Sequence, residues 1–104
     1  MRFEWDEAKR RANLRKHAID FAGVDALFDG LTLTVADDRL DYGEARFLTV
    51  GLLEGRTAVV AHTERGDTIR ILSVRKATKH EEAHFLTQVA DQLGTRRRPR
   101  RPRH

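Results

Sequence analysis

Residues 57–78, TAVVAHTERGDTIRILSVRKAT, contain two runs of strand-forming residues separated by a short turn. Val, Ile and Thr are frequent in both runs, 57–65 and 68–75, and these residues favour β-structure. Arg65-Gly66-Asp67 lies between the runs, and its glycine can adopt the positive φ that tight hairpins require. The stretch therefore predicts a β-hairpin.

Two further strand-forming runs precede this hairpin, at residues 31–35 and 45–53. Glu54-Gly55 is a second tight-turn signal, whereas residues 36–44 form a looser acidic loop. Four consecutive strands joined in this way predict an antiparallel β-meander.

The residues before the meander predict one strand and two helices. Residues 1–5 alternate apolar and polar side chains, which indicates a short N-terminal strand. Asp6 is placed as the N-cap of a helix over residues 7–17. Asp20 is the expected N-cap of a second short helix, and Gly30 is placed to end it.

A C-terminal helix is expected after the meander. Thr78 and Glu81 have the spacing of a capping box. The helix would bury one apolar face, formed by Phe85, Leu86, Val89 and Leu93. Gly94 is expected to end it. The complete order of elements predicts an α+β fold.

The chain length and composition limit the domain organisation. With 104 residues there is room for one small domain, placed at residues 1–94, and little room for a deep cofactor cavity. Residues 95–104 consist almost entirely of Arg and Pro and predict a disordered tail. Without its six arginines, the net charge of +4 becomes −2, so contacts with polyanions need local patches.

Several classes of protein are excluded by what the sequence lacks. It has no Cys, which removes disulfides and thiolate metal sites and suits a reducing cytoplasm. No apolar run approaches the ~20 residues of a membrane span. We therefore expect a cytoplasmic protein that needs neither a cofactor nor a membrane.

His80-Glu81-Glu82-Ala83-His84 has the HExxH spacing of zinc proteases. No third histidine stands six residues further on, where Ala90 lies, and the chain is too short to build a protease cleft around the motif. A solvated helix face explains the motif better, so no metal is expected.

The first predicted helix carries a possible phosphate-binding face. Lys9, Asn13 and Lys16 lie at i, i+4 and i+7, and His17 follows at the helix end. An ordinary solvated helix face accounts for the same spacing.

The hairpin and the residues after it carry a titratable ring, a carboxylate and several cations: His62, Glu64, Arg65, Arg70, Arg75 and Lys76. His62 and Glu64 share one face of their strand, and the neighbouring strand could bring Arg70 and Arg75 within reach. This set suits metal-free RNA cleavage, which needs proton-transfer groups and cations at the phosphoryl oxygens. Cross-strand ion pairs on a solvated face explain the same residues.

Four stretches of the sequence, in order, resemble the BrnT family of bacterial toxins. They are FEWD at residues 3–6, GEARF at 43–47, VVAHTERGD at 59–67 and IRILSVRKAT at 69–78. The resemblance implies a RelE/ParE-like fold and a ribonuclease toxin of a type II toxin–antitoxin pair. It also implies a BrnA-like antitoxin whose ribbon-helix-helix part binds operator DNA, and we expect a 2:2 heterotetramer.

The expected roles follow from this combination. Arg65, Arg70 and Arg75 are candidate phosphate and transition-state cations, and His62 and Glu64 are candidate acid/base groups. The expected RNA-binding residues are Lys9, Asn13, Lys16, His17 and Lys76.

Two other functions remain open at this point. Because fold does not decide chemistry, a ParE-like toxin that poisons gyrase by binding is one alternative. A small nucleic-acid-binding module that acts through the Arg-rich tail is the other.

Overall fold

The computed structural model describes residues 1–39, 41 and 43–97. Within that part of the chain it contains five strands and three helices. Their bounds are β1 (Arg2–Trp5), α1 (Glu7–His17), α2 (Asp25–Asp29), β2 (Thr32–Ala36), β3 (Phe47–Leu53), β4 (Arg56–Arg65), β5 (Thr68–Lys76) and α3 (Lys79–Arg97).

The five strands form one sheet in the order β1-β5-β4-β3-β2. Strands β2 to β5 pair as antiparallel neighbours, so the predicted meander is confirmed. Strand β1 pairs in parallel with β5, with Phe3 opposite Ile69 and Trp5 opposite Ile71. The sheet is therefore mixed, and the fold is α+β as expected; the closer likeness to RelE stays a prediction.

Both predicted tight turns contain the positive φ that tight hairpins require. Arg65 pairs with Thr68, and Gly66 between them has a φ of 57°. In the β3–β4 turn, Glu54 and Gly55 have φ values of 52° and 79°. Positive φ at these positions matches the twist of the flanking strands, which fixes the hairpin registers.

The main core lies on the side of the sheet that carries Ala58 and Val60, here called the α2 face. Eight fully or almost fully buried side chains pack together there: Phe21, Val24, Leu27, Ala58, Val60, Ile69, Ile71 and Val74. Helix α2 approaches closely because β3 has a glycine beneath it. A Cβ added to Gly51 would lie 2.9 Å from the Leu27 side chain.

Helix α3 packs against the opposite side, here called the α3 face. Thr57 donates a hydrogen bond of 3.0 Å to Glu82, and Arg75 binds Glu81. Phe85 is buried as predicted, but Leu86 is half exposed. The side chain of Leu93 lies outside the described residues.

A β-bulge in β5 changes which residues face the core. Ala61 pairs with Ser73 and His62 with Ile71, so Leu72 has no partner of its own on β4. A bulge of one residue reverses the alternation of side chains beyond it. The buried residues of β5 are consequently Ile69, Ile71 and Val74.

The helix start signals are confirmed at α1 and α3 but not at α2. Asp6 accepts a hydrogen bond of 3.0 Å from the Lys9 amide. The capping box is also present, since the amides of Thr78 and Glu81 donate to each other's side chains. Asp20 is not an N-cap: its carboxylate accepts from Ala22 N in a turn, and α2 begins only at Asp25.

The expected end of the last helix at Gly94 is wrong, because α3 continues to Arg97. A glycine inside a helix costs only about 1 kcal/mol relative to alanine, which does not by itself end the helix. The predicted tail at 95–104 thus begins within α3, and residues 98–104 lie outside the described residues. No helix in the described ranges is long and apolar enough to cross a membrane.

Candidate functional site

The predicted hairpin cluster is divided between the two faces of the sheet. The register pairs Glu64 with Ile69 and Thr63 with Arg70, so Arg70 projects from the face opposite to His62. The bulge then places Arg75 beside Val59, again on the α3 face. The expectation that His62 meets these arginines on one face is therefore wrong.

His62 is a core residue. Its side chain has 0% exposure and lies between two aromatic rings, stacked at 5.9 Å on Phe47 and edge-on at 5.4 Å to Phe28. Its Nε2 is 2.7 Å from the Thr49 hydroxyl, which is 2.7 Å from the Thr34 hydroxyl. In this arrangement the ring cannot touch a phosphate group.

The environment of His62 favours the neutral ring. Burial lowers the pKa of His62, because the neutral ring loses less hydration free energy than the charged ring when it leaves water. Glu64 opposes this effect, with Oε2 at 3.6 Å from Nδ1. The distance is too long for a strong hydrogen bond, so Glu64 compensates the burial only in part.

Two of the predicted cations do meet, in a shallow cavity of about 180 Å³ on the α3 face. We call it the hairpin pocket, and it is lined by Glu4, Thr63, Arg65, Thr68 and Arg70. Arg70 Nη1 lies 3.0 Å from Glu4 Oε2. Arg65 is held less tightly, because its side chain is 85% exposed and its Nη2 lies 3.7 Å from Glu44 Oε1. The pocket thus presents two guanidinium groups beside a carboxylate.

Glu4 is a pocket residue outside the set predicted from the sequence. It faces Arg70 because β1 pairs in parallel with β5 and places these two residues opposite each other. The pairing of β1 with the last strand, and not with a sequence neighbour, has no signal in local sequence patterns.

Arg75 forms a clamp between the sheet and α3. Its two terminal nitrogens each donate a 2.8 Å hydrogen bond to one oxygen of Glu81, and the same carboxylate caps α3 through Thr78. These contacts lower the pKa of Glu81 to about 2, with Arg75 as the largest cause. To bind a phosphate, Arg75 would have to release Glu81.

Asn13 is a structural residue and not part of an RNA-binding face. It is buried, and its amide nitrogen donates to Ile19 O and Val74 O at 2.9 Å. Its amide oxygen accepts from Val74 N at 3.0 Å. Strand β1 ends opposite Ile71, so the Asn13 amide satisfies backbone groups of β5 that lack a strand partner. The expected RNA-binding role of Asn13 is wrong for this reason.

The remaining predicted binding residues lie on α1 and beside it. Lys9 and Lys16 are exposed on α1. His17 and Lys76 line an open cavity of about 530 Å³, here called the α1 groove, between the end of α1 and the β3–β4 turn. The groove also contains Arg56, a cation outside the set predicted from the sequence.

The HExxH motif has no metal-site geometry. His80 and His84 are exposed on α3, and the carboxylate of Glu81 is held by Arg75. Among the described residues, no group of three His, Cys, Asp or Glu side chains could hold a metal ion.

A model of the family described as "Ribonuclease toxin, BrnT, of type II toxin-antitoxin system" matches residues 5–81. The chain belongs to the BrnT toxin family. The matched range contains Arg65, Arg70 and the α1 groove. BrnT membership identifies a ribonuclease toxin and implies an antitoxin partner, and the gyrase-directed alternative is not favoured. No curated protein sequence matches the chain.

Proposed function

We propose that this BrnT chain cleaves RNA without a metal ion and that the hairpin pocket is its phosphate-binding centre. The observation that supports this proposal is the meeting of Arg65, Arg70 and Glu4 around one open space. Guanidinium groups remain charged at any working pH and can donate paired hydrogen bonds to phosphate oxygens. The pocket therefore has the group types that phosphoryl transfer needs.

The proposed reaction uses the RNA's own 2′-hydroxyl as the nucleophile. Its oxygen forms a bond to the adjacent phosphorus while the bond from phosphorus to the 5′ oxygen breaks. The products are a 2′,3′-cyclic phosphate and a 5′-hydroxyl end. Negative charge grows on the phosphoryl oxygens in the transition state, where Arg65 and Arg70 stabilise it.

Two proton transfers accompany these bond changes. In the proposed mechanism Glu4 accepts the proton of the 2′-hydroxyl, since its carboxylate lies in the pocket beside Arg70. Glu64 projects from the α2 face beside His62, so its carboxylate lies outside the pocket. The leaving 5′ oxygen takes its proton from water.

The other predicted residues receive more limited roles in this mechanism. His62 and Glu64 support the hairpin from the α2 face, because the His62 ring is buried and the Glu64 carboxylate lies beside it. Arg75 holds α3 on the sheet through Glu81. Lys9, Lys16, His17 and Lys76 contribute RNA contacts outside the pocket.

The proposed partner is a BrnA-like antitoxin with a ribbon-helix-helix part that binds operator DNA, in a complex of two chains of each kind. Toxin surfaces that attract RNA also attract acidic side chains, and half-exposed Val35 and Leu52 offer apolar contacts on the α3 face. Co-expression with the antitoxin should give a stable complex and abolish RNA cleavage. Recovery of free toxin alone from such cells would contradict this part of the proposal.

The ribonuclease proposal is tested by incubating the purified chain with RNA in EDTA and examining the new ends. We expect cleavage with 2′,3′-cyclic phosphate and 5′-hydroxyl ends, and inhibition of translation and growth when the chain is expressed alone. A parallel incubation with gyrase and plasmid should leave gyrase active. Products with 5′-phosphate ends, or cleavage only after metal is added, would refute the proposed chemistry.

A further inference from the structure

The α1 groove combines an apolar wall with cations at its rim. Leu14 and Ile19 contribute apolar surface from α1 and the segment after it, and Leu53 does so from β3. Leu14 is 40% exposed and so provides apolar surface that a ligand can cover. The groove volume of about 530 Å³ lies within the range that binds small organic ligands.

Three cationic or ionisable side chains line the same space from three different elements: His17 from α1, Arg56 from β4 and Lys76 from β5. Two carboxylates also line it, but they differ in what they can do. Asp20 is already bonded to Arg10 at 3.0 Å and to Ala22 N. Glu54 lies in the exposed turn. Because Arg10 already binds Asp20, the two permanent cations Arg56 and Lys76 face one further carboxylate, so a ligand at the rim is expected to carry negative charge.

We propose that the α1 groove binds one nucleotide of an RNA strand, at a subsite separate from the hairpin pocket. The flat apolar part of a nucleotide, its base, would pack against Leu14 and Leu53. Its phosphate would accept hydrogen bonds from Arg56 and Lys76. The carbonyl groups at the end of α1 can accept hydrogen bonds from base amino groups or the ribose hydroxyl.

The two sites lie at opposite ends of β4 and on opposite faces of the sheet, because Ala58 lines the groove on the α2 face and the hairpin pocket lies on the α3 face. Arg56 begins the strand in the groove, and Arg65 ends it in the hairpin pocket. Ten residues at about 3.3 Å per step separate the sites by about 30 Å. A dinucleotide cannot occupy both. This inference rests on the proposed ribonuclease function and adds that the preferred substrate is a longer single strand.

The site can be located directly, without cleavage, by titrating the full chain with AMP and following backbone amide signals by NMR. In the wild-type chain we expect saturable shifts of the amide signals of the groove residues His17, Ala58 and Lys76. In Arg56→Glu the same signals should show no saturable shifts. Shifts confined to the hairpin, or no saturable shifts, would overturn the proposal. An Arg11→Glu variant has the same charge change on an exposed side chain of α1 and should still bind AMP.

A second measurement links the groove to substrate length. With a long single-stranded RNA, Arg56→Glu should raise the KM roughly tenfold, since a charged hydrogen bond typically contributes that much. The slope of log binding against log salt should fall by about 0.7 for each lost phosphate contact. Cleavage of a dinucleotide should be unchanged. Equal losses on the long and short substrates would show that Arg56 acts through the fold.

These outcomes separate the subsite from the ribonuclease activity. If AMP and RNA bind in the groove but no RNA is cleaved, the subsite stands and the proposed catalysis fails. If RNA is cleaved normally by Arg56→Glu at every length, the catalysis stands and the subsite fails.

Discussion

Replacement of Glu81 by Gln tests the clamp that joins α3 to the sheet. The variant keeps the size of the side chain but removes the charge that binds both Arg75 nitrogens at 2.8 Å. The clamp pair is about one-third exposed. We expect Glu81→Gln to lower the free energy of unfolding at pH 7.

The pKa of Glu81 sets the upper limit of this effect. A fall from 4.5 to about 2, at about 1.36 kcal/mol for each pKa unit, corresponds to about 3.4 kcal/mol. Solvent screening of a partly exposed pair reduces this value, so we expect a loss of about 1–2 kcal/mol. The depressed pKa stabilises the fold above pH 4.5, and this stabilisation is lost as the pH falls towards 2.

Urea unfolding at pH 7 and pH 3 measures both parts of the prediction. The stability gap between wild type and Glu81→Gln should shrink by more than half at pH 3. Asp91→Asn is the control, because it makes the same chemical change on an exposed part of α3. A gap no larger than that of Asp91→Asn at pH 7, or one that persists at pH 3, would refute the clamp.

The same pair of variants separates structure from catalysis at Arg75. If the clamp is its only role, Arg75→Ala and Glu81→Gln should reduce stability and growth inhibition to similar degrees. If Arg75→Ala alone loses toxicity at equal amounts of folded protein, Arg75 acts in catalysis as well as in the clamp.

Three further predictions concern the core. Asn13→Ala should lower the free energy of unfolding in urea by about 2–4 kcal/mol, because it leaves backbone groups of β5 unpaired. Lys16→Ala, on the exposed face of α1, should change it by less than about 0.5 kcal/mol. Gly51→Ala should cost about 1–3 kcal/mol, because the added Cβ would lie 2.9 Å from the Leu27 side chain of α2. Gly30→Ala should be nearly neutral in the same assay, because its Cβ would meet Leu27 O at an ordinary contact distance of 3.9 Å. Because the pKa of His62 is lowered in the folded chain, the unfolded chain binds a proton more readily below about pH 6.5, and wild type should lose stability as the pH falls. His62→Gln should lose less stability over the same pH range. Equal pH profiles of the two proteins would contradict this prediction.

Most of the fold could be predicted from local sequence signals. Helix α1, both tight turns, the meander and the capping box of α3 depend on residues close together in the chain. Their physical causes, such as the positive φ of Gly66, act over a few residues. The parallel pairing of β1 with β5 depends on contacts between distant segments, and no local pattern predicts it.

The candidate site was harder to predict because it depends on strand register. A signal for the bulge was present in the sequence: the apolar residues of β5 are spaced by two and then by three, at Ile69, Ile71 and Val74. This change in the spacing of apolar residues predicts that Arg75 projects from the α3 face. Asn13 gave no such signal, because a buried amide that pairs with a strand edge has the same helical spacing as an exposed one.

The rate of RNA cleavage in EDTA by Arg65→Ala and Arg70→Ala tests the arginine-centred mechanism most directly. Loss of one preorganised donor should lower kcat by about 10²- to 10³-fold, with the unfolding free energy nearly unchanged. Arg11→Ala, an exposed cation outside both cavities, should cleave at the wild-type rate. Wild-type rates in both pocket variants, or no cleavage by the wild-type chain in EDTA, would contradict the account.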